Sequence, residues 1–299
     1  MVTLPEPSAR AEGREPPQLV PRPQWLEPSN AYGVASVAKN FVPLVALYAV
    51  VPYVADRSIA LGWCLSPVVA LLIYRLTMVM HDCGHATLFT SRRVNERVGK
   101  LLGSVTGVDF GRFKQLHWQH HKGYGAPGDP QGFHYLGISR MTRPAFVWHF
   151  VKPLLGANLR YVFRESLTHP RNLGAALANG EIVPFLVMQA VLIATITGAG
   201  GHPSLALLPF VSAATFGLFF SQLRGIAEHG VGEPGRSESF VRSHAPDLLG
   251  RIVLYDVHFN LHEEHHRYPG VPSCHLPALA RELGGPAAGI WRTLRTRGR

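Results

Sequence analysis

The stretch IALGWCLSPVVALLIYRLTMVMHDCGH, Ile59 to His85, decides the fold, because it joins an apolar segment to two histidines. The segment Ile59–Met80 is long enough to cross a bilayer, which takes about 20 apolar residues in a helix. His81 and His85 follow it directly and lie four residues apart, so a helix places them on one face. Such a pair is either an interfacial feature or one part of a metal site.

The composition favours a membrane protein. The chain has 299 residues, of which 46% are hydrophobic and only 16% charged, against roughly 25% charged in an average soluble domain. Its net charge of +10 fits either nucleic-acid binding or a cytoplasmic membrane face. The basic residues are not gathered into one arm or helix, which favours the membrane and predicts no nucleic-acid partner. The three cysteines follow no paired pattern and predict free thiols.

Four apolar segments predict an all-α, multipass membrane protein with four transmembrane helices in two hairpins. They are Phe41–Ala55, extended back through Tyr32, then Ile59–Met80, Ile182–Ala199 and Pro203–Gln222. Thirteen Lys and Arg lie between Met80 and Ile182 and ten more follow Gln222, whereas the two hairpin tips carry only Arg57. The positive-inside rule therefore places both termini and the central segment in the cytoplasm.

The whole chain is predicted to consist of a single membrane domain, residues 31–285, and two tails. Residues 1–30 are rich in proline and charge and predict a disordered or loosely attached tail. Residues 286–299 form a basic C-terminal tail. The apolar stretches Val98–Val108 and Ala145–Val162 are expected to lie in the membrane interface. Arg75, inside the second span, is expected to reach headgroups or an acid within the bundle.

Nine of the 16 histidines fall on the predicted cytoplasmic side in three boxes and one isolated position. The boxes are HDCGH, HWQHH and HEEHH, with His81 and His85, His117, His120 and His121, and His262, His265 and His266; His229 stands alone after the fourth span. Residues three and four apart share a helix face, so each box should project its imidazoles in one direction. Neutral imidazole suits iron, copper, zinc and nickel.

These boxes resemble the three histidine boxes of membrane fatty acid desaturases, a superfamily that includes alkane and carotenoid hydroxylases and ketolases. NLHEEHHRYPGVP, Asn260 to Pro272, is similar to the third box with its usual continuation. The resemblance runs from about Tyr32 to Pro272. It implies four membrane helices under a cytoplasmic helical cap, with a diiron site between them, and says little about the substrate.

The resemblance also implies the ligands. All nine histidines of the boxes and of position 229 match the iron ligands of the family. Stearoyl-type desaturases carry an asparagine four residues before the isolated histidine, where this chain has Gly225. One water-mediated contact of that subgroup is therefore missing or replaced. Metal-bound histidines commonly need a partner for the other ring nitrogen. The candidates are Asp82, Glu228, His258, Glu263 and Glu264. The alternative for His258 is a packing role, and the alternative for each acid is a solvated side chain without a role at the site.

Removing hydrogen from an unactivated C–H bond needs a redox metal and oxygen, because no side chain is a sufficient oxidant. The resemblance implies two irons with O₂ as co-substrate. Loss of two hydrogens gives a C=C bond, so a fatty acyl desaturase is the first interpretation. Insertion of oxygen gives the runner-up, a hydroxylase or ketolase of a carotenoid, alkane or other lipid-like metabolite.

The electrons must come from another protein, because the sequence shows no flavin or nicotinamide glycine motif and no fused haem-binding domain. We expect a ferredoxin, a rubredoxin, or a cytochrome with its reductase. The segment Trp118–Gly137 is rich in glycine and proline and predicts a loop over the site. That loop either helps to select the substrate or simply connects two helices.

Two weaker alternatives start from other features. HEEHH also satisfies H-E-x-x-H, in which His262 and His266 bind zinc and Glu263 is the general base of a membrane protease. This hypothesis leaves the other boxes unused and places the motif outside a span. A metal transporter or haem-binding protein would favour ionisable residues within the spans, where only Arg75 and Gln189 stand out.

Overall fold

The computed structural model describes residues 19–160, 163, 169–197, 202–229, 241–245, 247–286 and 289. Across these residues every regular element is helical, and the one β-contact is an isolated bridge between Ala245 and Gly289. The all-α prediction is therefore confirmed for the described part of the chain. The α-helices are α1 Asn30–Arg57, α2 Ile59–Trp63, α3 Ser66–Gly84, α4 Arg92–Thr106, α5 Phe110–Gly123, α6 Arg143–Val151, α7 Pro170–Ala178, α8 Ile182–Thr197, α9 Leu208–Ser212, α10 Leu218–His229, α11 Leu248–Val253, α12 His262–Arg267 and α13 Leu276–Glu282.

Three helical stretches in the described residues are long and apolar enough to cross a membrane: Pro23–Arg57, Ile59–Gly84 and Pro203–His229. The first includes α1, which begins after Ser29, whose hydroxyl accepts the N–H of Tyr32 at 3.3 Å. The extension of this span back through Tyr32 is thus present. Pro43 and Pro52 lie inside α1, and prolines are tolerated in membrane helices where neighbouring groups satisfy the freed carbonyls.

The third predicted span differs from expectation. α8 has 16 residues and is bent by 106° from the preceding helix α7. Together the two helices make at most one broken span, so the described residues contain three candidate spans, or four if this pair is one of them. Residues 198 and 199 of the prediction lie outside the described residues. The last span runs on to His229, past the predicted end at Gln222 and through a π-helical turn at Ala213–Gly217.

α3 is the central helix of the fold. It packs against α1, α4, α9 and the π-helical turn. The side chains of Leu44, Leu76, Met78 and Met80 are fully buried in this core. The end of α3, which carries the first histidine box, therefore lies inside the protein.

α4 and α5 contact each other, and their approach depends on a glycine. A Cβ at Gly99 of α4 would lie 2.2 Å from the Cζ atom of Phe110, so only glycine allows this contact. α4 ends at Gly107, with φ of +79°, the conformation usual after a helix C-terminus. α5 begins after Asp109, whose carboxylate accepts the N–H of Arg112 at 2.6 Å. The second histidine box is therefore carried on a helix with a fixed start.

The predicted interfacial stretches are helical where they are described. Residues 98–106 lie in α4, and residues 145–151 in α6. A 3₁₀ turn, Lys152–Leu155, follows α6. Residues 161 and 162 lie outside the described residues.

Arg75 faces an acid inside the bundle, one of the two expected positions. Its Nε lies 3.4 Å from Oδ2 of the buried Asp256. The same carboxylate pairs with Lys39 and accepts a hydrogen bond from the Asn40 amide. This cluster ties α1 and α3 to the segment before the third box, where His258 has a φ of +60°, an uncommon conformation for a residue other than glycine.

Part of the proline-rich N-terminal segment is packed. Residues 1–18 lie outside the described residues, but Trp25 is only 6% exposed and contacts an apolar cluster with Leu261, Val271 and Leu276. The large apolar ring explains why this part is not loose, because its burial removes a sizeable apolar area from water. Of the basic C-terminal tail, the described residues are 286 and 289.

Candidate metal centre

Four helices bring the nine predicted ligands together. His81 lies in the last turn of α3, and His85 directly follows the end of that helix. α5 carries the second box, α12 carries the third, and His229 is the last residue of α10. Residues far apart in sequence therefore meet in one place, and their imidazoles divide into two groups.

The five-histidine group comprises His81, His85, His117, His121 and His265, whose ligand nitrogens all lie within 4.8 Å of one another. The Nε2 atoms of His117 and His85 are 2.8 Å apart, those of His121 and His117 are 2.9 Å apart, and those of His265 and His121 are 3.1 Å apart. The first, second and third boxes all contribute to this group.

The four-histidine group comprises His120, His229, His262 and His266, again with ligand nitrogens within 4.8 Å of one another. The Nε2 atom of His262 lies 2.9 Å from that of His229 and 3.1 Å from that of His266. The two groups are neighbours, since the rings of His121 and His266 stack with centroids 4.2 Å apart.

Each HxxHH box divides its histidines between the groups. The pair four residues apart stays together: His117 and His121 in one group, His262 and His266 in the other. The third histidine, His120 or His265, turns to the neighbouring group. The expectation that a whole box points in one direction therefore holds only for the (i, i+4) pair, because adjacent residues on a helix are about 100° apart.

The arrangement fits metal ions. A first-row metal such as zinc binds an imidazole nitrogen at about 2.0–2.1 Å, so two ligands at right angles lie about 2.9 Å apart, as the Nε2 atoms do here. The buried Nε2 atoms of His81 and His120 have no hydrogen-bond partner among the described residues. Buried polar atoms are normally satisfied, so both nitrogens point to a ligand at their group.

The candidate ligands are held in the form that binds metal. Burial lowers the pKa of His85 to about 4, and burial together with neighbouring imidazoles lowers the pKa of His121 to about 3. The same causes hold the pKa of His117, His262 and His265 well below the usual value. At neutral pH these rings are uncharged, as metal coordination requires.

Asp82, one of the predicted partners, lies beside the ring nitrogen of His81 that faces away from the five-histidine group. Nδ1 of His81 lies 3.1 Å from Oδ1 of Asp82, and the Ser273 hydroxyl donates to Oδ2 of the same carboxylate. Asp82 thereby fixes the ring of His81 in the five-histidine group and links it to the segment after the third box.

A second carboxylate was missed by the sequence reasoning. Nδ1 of His120 lies 2.9 Å from Oδ1 of Asp129, in the loop after α5. The Tyr135 hydroxyl and the N–H of Gln131 also donate to this carboxylate. Burial alone would raise the pKa of Asp129, but the bonds from His120, Tyr135 and Gln131 outweigh it and hold the pKa below its usual value. The charged carboxylate fixes the His120 ring in the four-histidine group.

The other proposed partners lie in different places. Oε2 of the buried Glu228 is 3.5 Å from Nε2 of His262, at the four-histidine group. Glu263 points to Arg267, 3.0 Å away, and Glu264 accepts a hydrogen bond from Ser243. The ring of His258 stacks on Tyr32 with centroids 6.3 Å apart, and His258 belongs to neither group.

A family model described as fatty acid desaturase matches residues 58–293, more than half of the chain. The protein belongs to the fatty acid desaturase family. With its apolar helices, this membership makes it a membrane protein. The match includes the three boxes and His229.

Three curated relatives of this desaturase-family chain represent two kinds of enzyme. A sphingolipid delta(4)-desaturase/C4-monooxygenase of Bos taurus is 27% identical over 217 residues, covering 70% of this chain and 61% of the relative. A beta-carotene ketolase of Haematococcus lacustris is 26% identical over 221 residues, with coverages of 70% and 59%. A beta-carotene 4-ketolase of Protosiphon botryoides is 28% identical over 224 residues, with coverages of 70% and 49%. The chain thus spans about half to three fifths of these relatives.

The departure at Gly225 has a structural reason in this chain. A Cβ at Gly225 would lie 2.8 Å from Cβ of His134. His134 is held by its backbone oxygen, which accepts a hydrogen bond from Nε2 of His149 at 2.9 Å. A larger residue at position 225 would therefore clash, and Gly225 and His134 occupy this place together.

Proposed function

We propose that this protein is a membrane-bound, O₂-dependent diiron oxidoreductase that desaturates an acyl chain of a lipid. The observation that carries the proposal is the pair of adjacent histidine groups, one with five and one with four ligands. In the overall reaction, the substrate loses two hydrogen atoms and gains a C=C bond. O₂ takes up these two hydrogen atoms together with two electrons from a donor and two protons, which gives two water molecules.

Each group would hold one iron. When bound, the two irons would supply the oxidising power for the C–H bond, which the side chains lack. Soluble diiron proteins use carboxylates for this purpose, whereas here imidazoles take their place. Iron is favoured over zinc by family membership, since imidazole alone accepts either metal.

The chain's own residues position the ligands. Asp82 and Asp129 hold the Nδ1 side of one histidine in each group, which fixes the ring orientation and raises its basicity. We assign Glu228 to the four-histidine group, where its carboxylate supplies an oxygen beside His262 and offsets the smaller number of imidazoles. Glu263, Glu264 and His258 support the third box from outside the two groups.

The proposed topology has four crossings, with the bent pair α7 and α8 as the third. The histidine groups and both termini would lie on the cytoplasmic side, as the distribution of Lys and Arg requires. The helices α4, α5 and α6 would form a cap over the groups. The loop that carries Asp129 then lies beside the centre and is suited to contact the substrate.

A second candidate is oxygen insertion, as in a hydroxylase or ketolase. It is favoured by the beta-carotene ketolases among the relatives and by the relative named as both desaturase and monooxygenase. Both outcomes begin by removal of one hydrogen and differ in the following step. The zinc protease alternative gains no support, since Glu263 is directed to Arg267.

Expression in a bacterial host with and without a β-carotene pathway tests the two candidates. Mass spectrometry of total lipids should show a new acyl product lighter by two hydrogens, absent when His117→Ala replaces the wild type. A gain of oxygen in the carotenoid, with unchanged acyl chains, would establish the second candidate instead. No change in either pool, from protein loaded with two irons and supplied with electrons, would contradict both.

A further inference from the structure

Trp118 is an exposed aromatic residue in contact with two proposed metal ligands. It is the second residue of HWQHH, and 41% of its surface is exposed. Its ring centroid lies 5.0 Å from that of His85 and 5.7 Å from that of His121, both in the five-histidine group. Trp118 therefore connects the protein surface with this group by a single side chain.

The surface around Trp118 is basic. Lys114 and Lys122 are four residues before and after Trp118 on α5, hence on the same helix face. Nζ of Lys114 lies 2.6 Å from Glu96, which joins α5 to the exposed side of α4. The two helices together contain seven Lys and Arg and one acid, Glu96, which pairs with Lys100 and Lys114 and leaves a net positive charge.

We propose that the basic face of α4 and α5 around Trp118 is the docking site of an acidic one-electron carrier protein, and that Trp118 is the point of electron entry. This inference rests on the proposed function, which consumes two electrons per turnover. Each encounter oxidises one carrier by one electron, so two encounters supply one turnover, and the two protons come from water. An iron held by the five-histidine group would be the first electron acceptor, because Trp118 touches two members of that group.

A carrier protein explains the features better than an anionic lipid surface does. Lipid headgroups would account for the lysines and arginines, and tryptophan is common at membrane interfaces. Neither explains why the exposed ring lies against two ligand imidazoles. Complementary charge would speed the encounter and set its orientation, and the aromatic contact would shorten the path for the electron.

The test uses the full-length, iron-loaded protein in nanodiscs without anionic lipid. Three reduced acidic carriers are mixed with it separately: a [2Fe–2S] ferredoxin, a rubredoxin and cytochrome b5. Stopped-flow absorbance follows oxidation of the carrier, and binding of redox-inert, gallium-substituted ferredoxin or rubredoxin, or of zinc-substituted cytochrome b5, gives the affinity. The variants are Trp118→Leu and Lys122→Glu. Trp148→Leu and Arg143→Glu are matched controls, exposed on α6, which carries none of the nine histidines.

The proposal predicts that at least one carrier reduces the wild-type centre faster than a small dye of equal potential does. Lys122→Glu should weaken binding of that carrier by about 10-fold at low salt and flatten the salt dependence. Trp118→Leu should slow electron transfer from the bound carrier by about 10-fold with iron content and reduction by dithionite unchanged. The two α6 variants should match the wild type.

Equal carrier rates in Trp118→Leu, Lys122→Glu and both α6 variants would overturn the docking site, as would a wild type that no carrier reduces faster than the dye. If these variants differed from the wild type only in binding to nanodiscs that contain anionic lipid, the face would be assigned to the membrane. Failure of the proposed function is recognised separately, because wild-type protein reduced by dithionite and exposed to O₂ would then form no lipid product in a single turnover.

Discussion

The five-histidine and four-histidine groups are built from the same boxes but differ in exposure and in their polar neighbours. In the five-histidine group, His85 and His121 are half-buried and touch the exposed Trp118. In the four-histidine group only His266 is half-buried, and the others lie below the surface. Asp129 and Glu228 add carboxylates to the buried group. One group is thus open toward the surface, and the other is enclosed.

This difference indicates separate roles for the two halves of the centre. An open group with a surface aromatic is suited to receive electrons. An enclosed group excludes water, and the charged carboxylate of Asp129 stabilises a cation in a medium of low dielectric constant. Changes to one group should therefore leave the other measurable, and the following variants test that separation.

The largest effect is expected when one imidazole is removed from either group. His117→Ala and His229→Ala should each reduce product formation by more than about 100-fold, since even outer partners of ligands cost about 10–100-fold. Both irons are required in our account, so the two variants should be equally inactive. Activity is measured as product per iron-loaded chain by mass spectrometry. Retained activity in His229→Ala would show that the four-histidine group is dispensable.

Replacing the outer carboxylates should have the next largest effect. Asp129→Asn should weaken iron binding in the four-histidine group by about 10–100-fold, and Asp82→Asn should do the same in the five-histidine group. Competition with a chelator under anaerobic conditions gives the affinity of each site. The surface variant Glu282→Gln serves as control. If both aspartate variants weakened the same site, the division of the ligands into these groups would be wrong.

Replacing Glu228 should have a smaller effect than replacing the aspartates, and Glu263 provides the comparison. Glu228→Gln should weaken iron binding in the four-histidine group by about 10-fold, because it removes a carboxylate oxygen beside His262. Glu263→Gln should keep the wild-type affinity and activity, since its carboxylate points to Arg267. The zinc protease hypothesis predicts the reverse order, with Glu263→Gln inactive. The same chelator competition and product assay distinguish them.

The smallest effect concerns the stability of the metal-free protein as a function of pH. His85 and His121 have pKa values of about 4 and about 3 in the folded protein, below the unfolded value of about 6.5. As pH falls from about 6.5 to 4, the unfolded chain binds protons that the folded chain does not, so the free energy of unfolding decreases. The melting temperature should fall by several degrees between pH 7.5 and 5.

The control for that measurement is the double variant His85→Gln with His121→Gln, whose melting temperature should change less over the same range. Constant or rising stability of the metal-free wild type on acidification would contradict burial of neutral imidazoles. Iron-loaded protein is measured in parallel, because bound metal stabilises only the folded state.

The sequence predicted which histidines come together better than it predicted their surroundings. The (i, i+4) spacing of His117 and His121, and of His262 and His266, is sufficient to place each pair on one helix face. The assignment of His120 and His265 to opposite groups depends on how α5 and α12 face each other, which local spacing does not contain. Asp129 was missed because it lies nine residues after His120 in a turn-rich loop, with no helical period to relate them.

The fold shows the same limit. The length of the apolar segments predicted the spans that contain α1 and α3, because a run of about 20 apolar residues can be read directly from the sequence. The bend of 106° between α7 and α8 was not predicted, since it depends on packing against the rest of the bundle. The partner of Arg75 could be named only as a class, because Asp256 lies 181 residues away in the chain.

Metal content is the measurement that tests the central claim most directly. Protein purified in detergent and loaded anaerobically with iron should contain about two irons and no zinc per chain, and His120→Ala and His265→Ala should each retain about one, because each removes a ligand from a different group. Elemental analysis per chain decides the count. One zinc and no iron in the wild type after iron loading, with activity that depends on Glu263, would contradict the diiron account.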